Sequence, residues 1–192
     1  KLVRHARFII PSRHTKKSLR KLHIYKASSI EGAKELIRDH KKISLDFFDT
    51  IVQRKIDPPE KLKEKTAEFA ALKLLEASIY ITPNRFLSVR NHLEKTLRDE
   101  SVFIKGLDHE TCIRQIFEHT LATIGHPAPQ ELAGTLIEFE VNTELCALQL
   151  QPGIKEFLQA CKANSIKIIV TSDMYLRATE IKKIMTHLGI AD

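Results

Sequence analysis

Lys42-Ile43-Ser44-Leu45-Asp46-Phe47-Phe48 is a short apolar run that closes on acidic residues, Asp46 and then Asp49. It is too short for a helix and too apolar for a loop, so it reads as a buried parallel strand with its carboxylates at the carboxyl end. Upstream, Ser28 with Glu31 three residues later has the form of a capping box, and Ala33, Leu36 and Ile37 add a helical stripe. That predicts a helix from about Ser29 to His40. Between Pro58 and Gln151 the pattern is helical only, with Pro59, Pro83 and Pro129 near first turns. Phe86, Val89, Leu93 and Leu97 mark one helical face there, and Ile113, Ile116, Phe117 and Ile124 mark another. After Pro152-Gly153 the alternation returns. Ile154, Phe157, Leu158 and Cys161 form a helix stripe, and Ile166 to Val170 form a β-branched strand. Ile181, Ile184, Met185 and Leu188 then form a last helix closed by Gly189.

Strand, helical insert, helix, strand, helix is an α/β pattern. It divides the chain into a basic N-terminal arm and helix (1–41), an α/β core (42–57 and 151–192) and a helical cap (58–150) between the first two core strands. A right-handed crossover makes those strands parallel neighbours, with Asp49 and Asp173 near the carboxyl ends, where open α/β sheets bind ligands. The insert is expected to pack over those ends.

The sequence is 43% hydrophobic, but no apolar run approaches the roughly 18 residues a membrane span needs. Phe8-Ile9-Ile10 is too short for the apolar region of a signal peptide. Cys112, Cys146 and Cys161 are odd in number and form no CxxC pair, which argues against a disulfide framework or a cysteine zinc site and for a reducing, cytoplasmic setting. The net charge of +7 is uneven: residues 1–42 hold 13 Lys and Arg against 3 Asp and Glu. Such an arm suits nucleic acid, an anionic membrane face or an acidic protein. It lacks interleaved aromatics, which favours a solvated leader over an anionic partner.

Leu45-Asp46-Phe47-Phe48-Asp49-Thr50-Ile51 resembles the first motif of the haloacid-dehalogenase (HAD) superfamily, in which a strand ends in an aspartate and a threonine follows four residues later. Ile168-Ile169-Val170-Thr171-Ser172-Asp173-Met174-Tyr175-Leu176 resembles its second motif, a strand ending in Ser or Thr. With Arg54, Arg90, Glu94 and Arg98, the two motifs are similar to a bacterial branch that reads FDxFDT and then SDMYL, some members of which are joined to glycosyltransferase modules. The resemblance covers about residues 43–188. It implies a Rossmann-like core with a helical cap and Mg2+-dependent phosphoester hydrolysis through an aspartyl-phosphate, acting on a small phosphorylated metabolite such as a sugar phosphate. Mg2+ would be held by Asp46 and the backbone carbonyl of Phe48, and the phosphate by Ser172, in preference to Thr171. The family's lysine and acidic pair are expected on strands after Asp192, so the site is expected to be incomplete, and silent, within residues 1–192.

The chemistry has its own logic. A carboxylate at a strand end is a fixed nucleophile that divides one hard displacement into two easier ones. A phosphate dianion repels it, which a bridging Mg2+ offsets. Family phosphatases carry a second aspartate two residues after the nucleophile, but here that position is Phe48, with Asp49 one place later. An aromatic there is the pattern of the metal-free 2-haloacid dehalogenases, the first alternative. A non-catalytic module that binds a partner or regulates an attached transferase is the second. Asp49 and Asp173 are auxiliary candidates. His109 and His119 lack an HExxH pattern and are assigned no site. Arg90, Glu94 and Arg98 fall on one helix face and read as a salt-bridge ladder with no functional purpose unless that face looks into the cleft, and Glu140 with Glu144 as a surface pair.

Overall fold

The computed structural model describes residues 6–11, 22–27, 30–37, 40–55, 58, 60–105 and 111–191. It is a mixed α/β chain that divides into two compact units. Lys1–Lys55, Leu148–Ser172 and Asp192 form an α/β unit; Ile56–Ala147 and Asp173–Ala191 form a helical unit.

The α/β unit is built on a four-stranded sheet. Its strands are β1 (Ala6–Pro11), β2 (Leu22–Ala27), β3 (Lys42–Asp46) and β6 (Lys167–Thr171), in the order β2-β1-β3-β6. As the βαβ pattern requires, β3 and β6 are parallel, with Ile43 opposite Ile168, Leu45 opposite Val170 and Asp46 opposite Thr171. The two-residue side-chain period then sorts the faces. Ile43 and Leu45 are buried, whereas Ser44 and Asp46 on the other face are half-buried. On β6, the β-branched strand expected from Ile166 to Val170, Ile169 and Thr171 share that second face and are exposed, and among the described residues β6 is an edge strand. Helices α1 (Ile30–Ile37) and α6 (Ile154–Ala163) pack on each other and bury Ala33, Ile37, Phe157 and Cys161. The expected capping box at Ser28 lies outside the described residues.

The N-terminal region corrects the sequence reading. Residues expected to form a solvated arm contribute β1 and β2, an antiparallel pair joined to the sheet through Phe8 opposite Leu45 and Ile9 opposite Ser44. Isolated six-residue strands carry little local signal, and the backbone groups of β3 on the side away from β6 supply the partner that stabilises them.

A second correction falls at the edges of the insert. Val52–Arg54 (β4) and Leu148–Leu150 (β5) form a two-stranded antiparallel ribbon, with Arg54 opposite Leu148, so the stretch from 58 to 150 is not helical to its end.

The rest of the insert is helical: α2 (Glu60–Glu76), α3 (Pro83–Lys105), α4 (Ile113–Ile124) and α5 (Pro129–Ala147). Pro83 and Pro129 occupy first helical positions, where a missing N–H costs nothing. Consecutive helices pack together and α2 closes the ring against α5, where Phe69 stacks on Phe139 at 4.1 Å. Gly125 ends α4 at φ 87°, a left-handed conformation that glycine adopts without strain. The last helix, α7 (Ala178–His187), packs on α5 and groups with the helical unit, whereas the sequence pattern assigned 151–192 to the core.

Candidate functional site

Asp46 is the last residue of β3, and its Oδ1 accepts the N–H of Phe47 at 2.9 Å. The strand ladder continues one step further, with Phe47 N–H donating to the Thr171 carbonyl at 2.9 Å, so the two strand ends stay in register where the polar residues begin. The chain then turns sharply: the Phe47 carbonyl accepts from both Ile51 and Val52, and Asp49 sits in the left-handed region at φ 59°. This backbone exposes Asp49 at the tip while burying Thr50 and Ile51. Gln151 braces the turn from outside the motif. Its side-chain amide donates to the Asp49 carbonyl at 3.3 Å, and its backbone N–H donates to Ile51.

Across the strand pair, the Thr171 hydroxyl donates to the Leu45 carbonyl at 3.2 Å and lies 3.3 Å from the Ser44 hydroxyl. Thr171 is thus engaged with β3, and Ser44 shares a face with Asp46. That neighbour was legible in the strand period yet not singled out. Ser172 follows directly after β6 and is half-buried. The structure therefore brings Asp46, Ser44 and Thr171 together at one end of the parallel pair, with Ser172 one residue on. Asp173 is exposed and opens the second segment of the helical unit.

Phe48, two residues after Asp46, is 7% exposed. It meets Phe47 edge-on at 5.0 Å and carries the Arg54 guanidinium 4.6 Å above its ring. Its side chain is a packing group that ties the turn to β4. Among the described residues, no cluster of three or more His, Cys, Asp or Glu side chains is arranged to hold a metal ion. A carboxylate with a backbone carbonyl is an oxygen-only donor pair, which suits a hard cation whose remaining positions are filled by water.

The helical unit holds a polar centre, of which sequence reasoning placed Glu140 and Glu144 at the surface. Arg90 is fully buried, Glu140 is 1% exposed and Glu144 is 3% exposed. Arg90 bridges Glu94 at 2.7 Å and Glu140 at 3.1 Å, while Glu94 also meets Lys63 at 2.9 Å and Arg98 at 3.4 Å. Burial opposes the Arg90 charge, but Glu140, Tyr175 and Glu94 outweigh it and keep the guanidinium firmly protonated. Burial and the Glu140 carboxylate push the Tyr175 phenol well above its ordinary range, against the pull of Arg90, so it is a neutral donor. His119 is exposed, and His109 lies outside the described residues.

No protein-family profile matches the chain, and no curated protein matches it.

Proposed function

We propose that the α/β unit is a HAD-like hydrolase core that splits phosphoesters, with Asp46 as nucleophile. The carrying observation is the register of Asp46 at the end of β3 with Thr171 at the end of the parallel β6, Ser172 following at once. In this reading a carboxylate oxygen of Asp46 bonds to phosphorus as the ester P–O bond breaks, giving an aspartyl-phosphate and an alcohol. Water then cleaves the aspartyl-phosphate, restoring Asp46 and releasing phosphate. Ser172 donates a hydrogen bond to a phosphate oxygen. Mg2+, when bound, offsets the repulsion between Asp46 and the phosphate, and Asp46 with the Phe48 carbonyl would hold it. The substrate class is a small phosphorylated metabolite. Protonation of the leaving oxygen falls to Asp49 or to water, because Phe48 stands in the acid's place.

Phe48 also favours a second reading, metal-free displacement of halide from a 2-haloacid by the same carboxylate. One experiment separates them: turnover of a panel of phosphoesters and 2-haloacids, with and without EDTA, by a longer form of the protein that extends past Asp192 and by its Asp46→Asn variant. Loss of phosphoester turnover in Asp46→Asn and reversible loss with EDTA is the expected result. Haloacid turnover that survives EDTA but not the substitution selects the second reading, and turnover indifferent to both removes Asp46 from the mechanism.

A further inference from the structure

Tyr175 lies three residues after Ser172 and is 6% exposed in the helical unit. Every helix of the insert grips it. From α5, Glu140 accepts its hydroxyl at 2.8 Å; from α3, the Arg90 guanidinium lies 5.2 Å from its ring centre and donates to the same Glu140 oxygen at 3.1 Å. From α2, Lys63 Nζ lies 5.4 Å from the ring, and from α4, Ile113 donates its backbone N–H to the Tyr175 carbonyl at 2.9 Å. An ordinary buried tyrosine needs one partner for its hydroxyl. Here a guanidinium and a carboxylate are desolvated around it, although Arg90 Nε and Glu140 Oε2 find no hydrogen-bond partner among the described residues. A well-packed apolar cluster of the same volume is commonly as stable or more so. What the polar cluster adds is direction, because the phenol hydroxyl and the main-chain carbonyl of one residue are each held at a fixed point.

We infer that Tyr175 is a positioning residue: through its hydroxyl and carbonyl, the helical unit sets the backbone path of Asp173–Leu176, directly downstream of Ser172. The chemical meaning of this inference rests on the phosphoester reading, whereas its geometry does not. It makes the insert what holds Asp173–Leu176, the stretch of the second motif that belongs to the helical unit.

The test compares the wild type with Tyr175→Phe, which keeps the ring and removes the hydroxyl, and with Glu140→Gln, which keeps an acceptor but weakens it. Ile137→Val serves as a control that loosens the same helical unit elsewhere. Amide hydrogen exchange is followed along the chain, together with kcat and KM for a phosphoester in Mg2+. In Tyr175→Phe, exchange of the Ile113 amide, which donates to the Tyr175 carbonyl, and of the amides beside it is expected to rise at least tenfold, the scale of one lost hydrogen bond to a charged group. The interiors of α2 and α4 should change by less than about twofold. Glu140→Gln should move the same amides by a smaller factor and Ile137→Val should not single them out. The kcat of Tyr175→Phe, expressed per folded protein from circular dichroism on the same samples, should fall with KM nearly unchanged, because a partly unfolded population by itself lowers apparent kcat in the same way. Unchanged exchange at Ile113, or acceleration spread evenly over the helical unit, would overturn the positioning role. Absence of turnover in a longer form of the protein that extends past Asp192 would overturn the phosphoester reading alone, with the exchange data still deciding the role of Tyr175.

Discussion

Replacing Arg90 with Met keeps most of the apolar stem and removes the cation that, alone among the described residues, forms an ion pair with Glu140, at 3.1 Å. Glu140 is 1% exposed, so water cannot take over. Of its partners only the Tyr175 hydroxyl, at 2.8 Å, would remain. Glu94 suffers less, since it keeps Lys63 at 2.9 Å and Arg98 at 3.4 Å and is partly solvated. The loss therefore concentrates on one uncompensated buried carboxylate, for which the cost is about 3–5 kcal/mol. Against a total stability of about 5–15 kcal/mol this is a large fraction. With a slope of about 2 kcal/mol per molar urea, the unfolding midpoint followed by circular dichroism should fall by about 1.5–2.5 M. Adding Glu140→Gln to Arg90→Met removes the stranded charge while leaving an oxygen for Tyr175, so the double variant should recover about half of the loss. A cost below about 1 kcal/mol for Arg90→Met, or a double variant no more stable than the single, would refute the reasoning that the buried cation is there to match Glu140.

Arg90 and Lys63 hold the Glu94 carboxyl below its ordinary range, although burial pushes the other way. A carboxyl depressed on folding adds stability that is present above the unfolded value near 4.3 and lost as pH falls through the folded one. Glu94→Gln should therefore be less stable than wild type at pH 7, with the gap narrowing toward pH 3 in parallel urea titrations. Burial pushes the Cys161 thiol up to about 11, whereas Cys146 is exposed. Alkylation at pH 8 read by mass spectrometry should mark Cys146 first and reach Cys161 only on unfolding, and early labelling of Cys161 would contradict its burial under α1. Gly125→Ala should lower stability by about 1 kcal/mol in thermal unfolding: the left-handed φ of 87° strains alanine, while the space around the site is open.

How much of this was legible in the sequence depends on the range of the force responsible. The apolar run at 43–45, the insert helices opening at Pro83 and Pro129, and the β-branched run before Thr171 are local patterns, and each yields the element that its period announces. Crossover handedness carries β3 and β6 into parallel pairing although the whole insert lies between them, so the placing of Asp46 and of Thr171 with Ser172 at the same strand end follows from sequence once that pairing is granted. What the tertiary structure alone decided is who meets whom across long separations. β1 and β2 are strands because β3 offers β1 a free ladder of backbone groups, a partner invisible within either segment. The three-residue ribbon of Val52–Arg54 with Leu148–Leu150 exists for the same reason. Arg90, Glu140 and Glu144 have the spacing of solvated charges, and helical period cannot tell a face that meets water from one that meets other helices. Arg90 and Glu140 became buried where Arg90, Glu140 and Tyr175, brought from α3, α5 and the segment before α7, met and paired through one Glu140 oxygen.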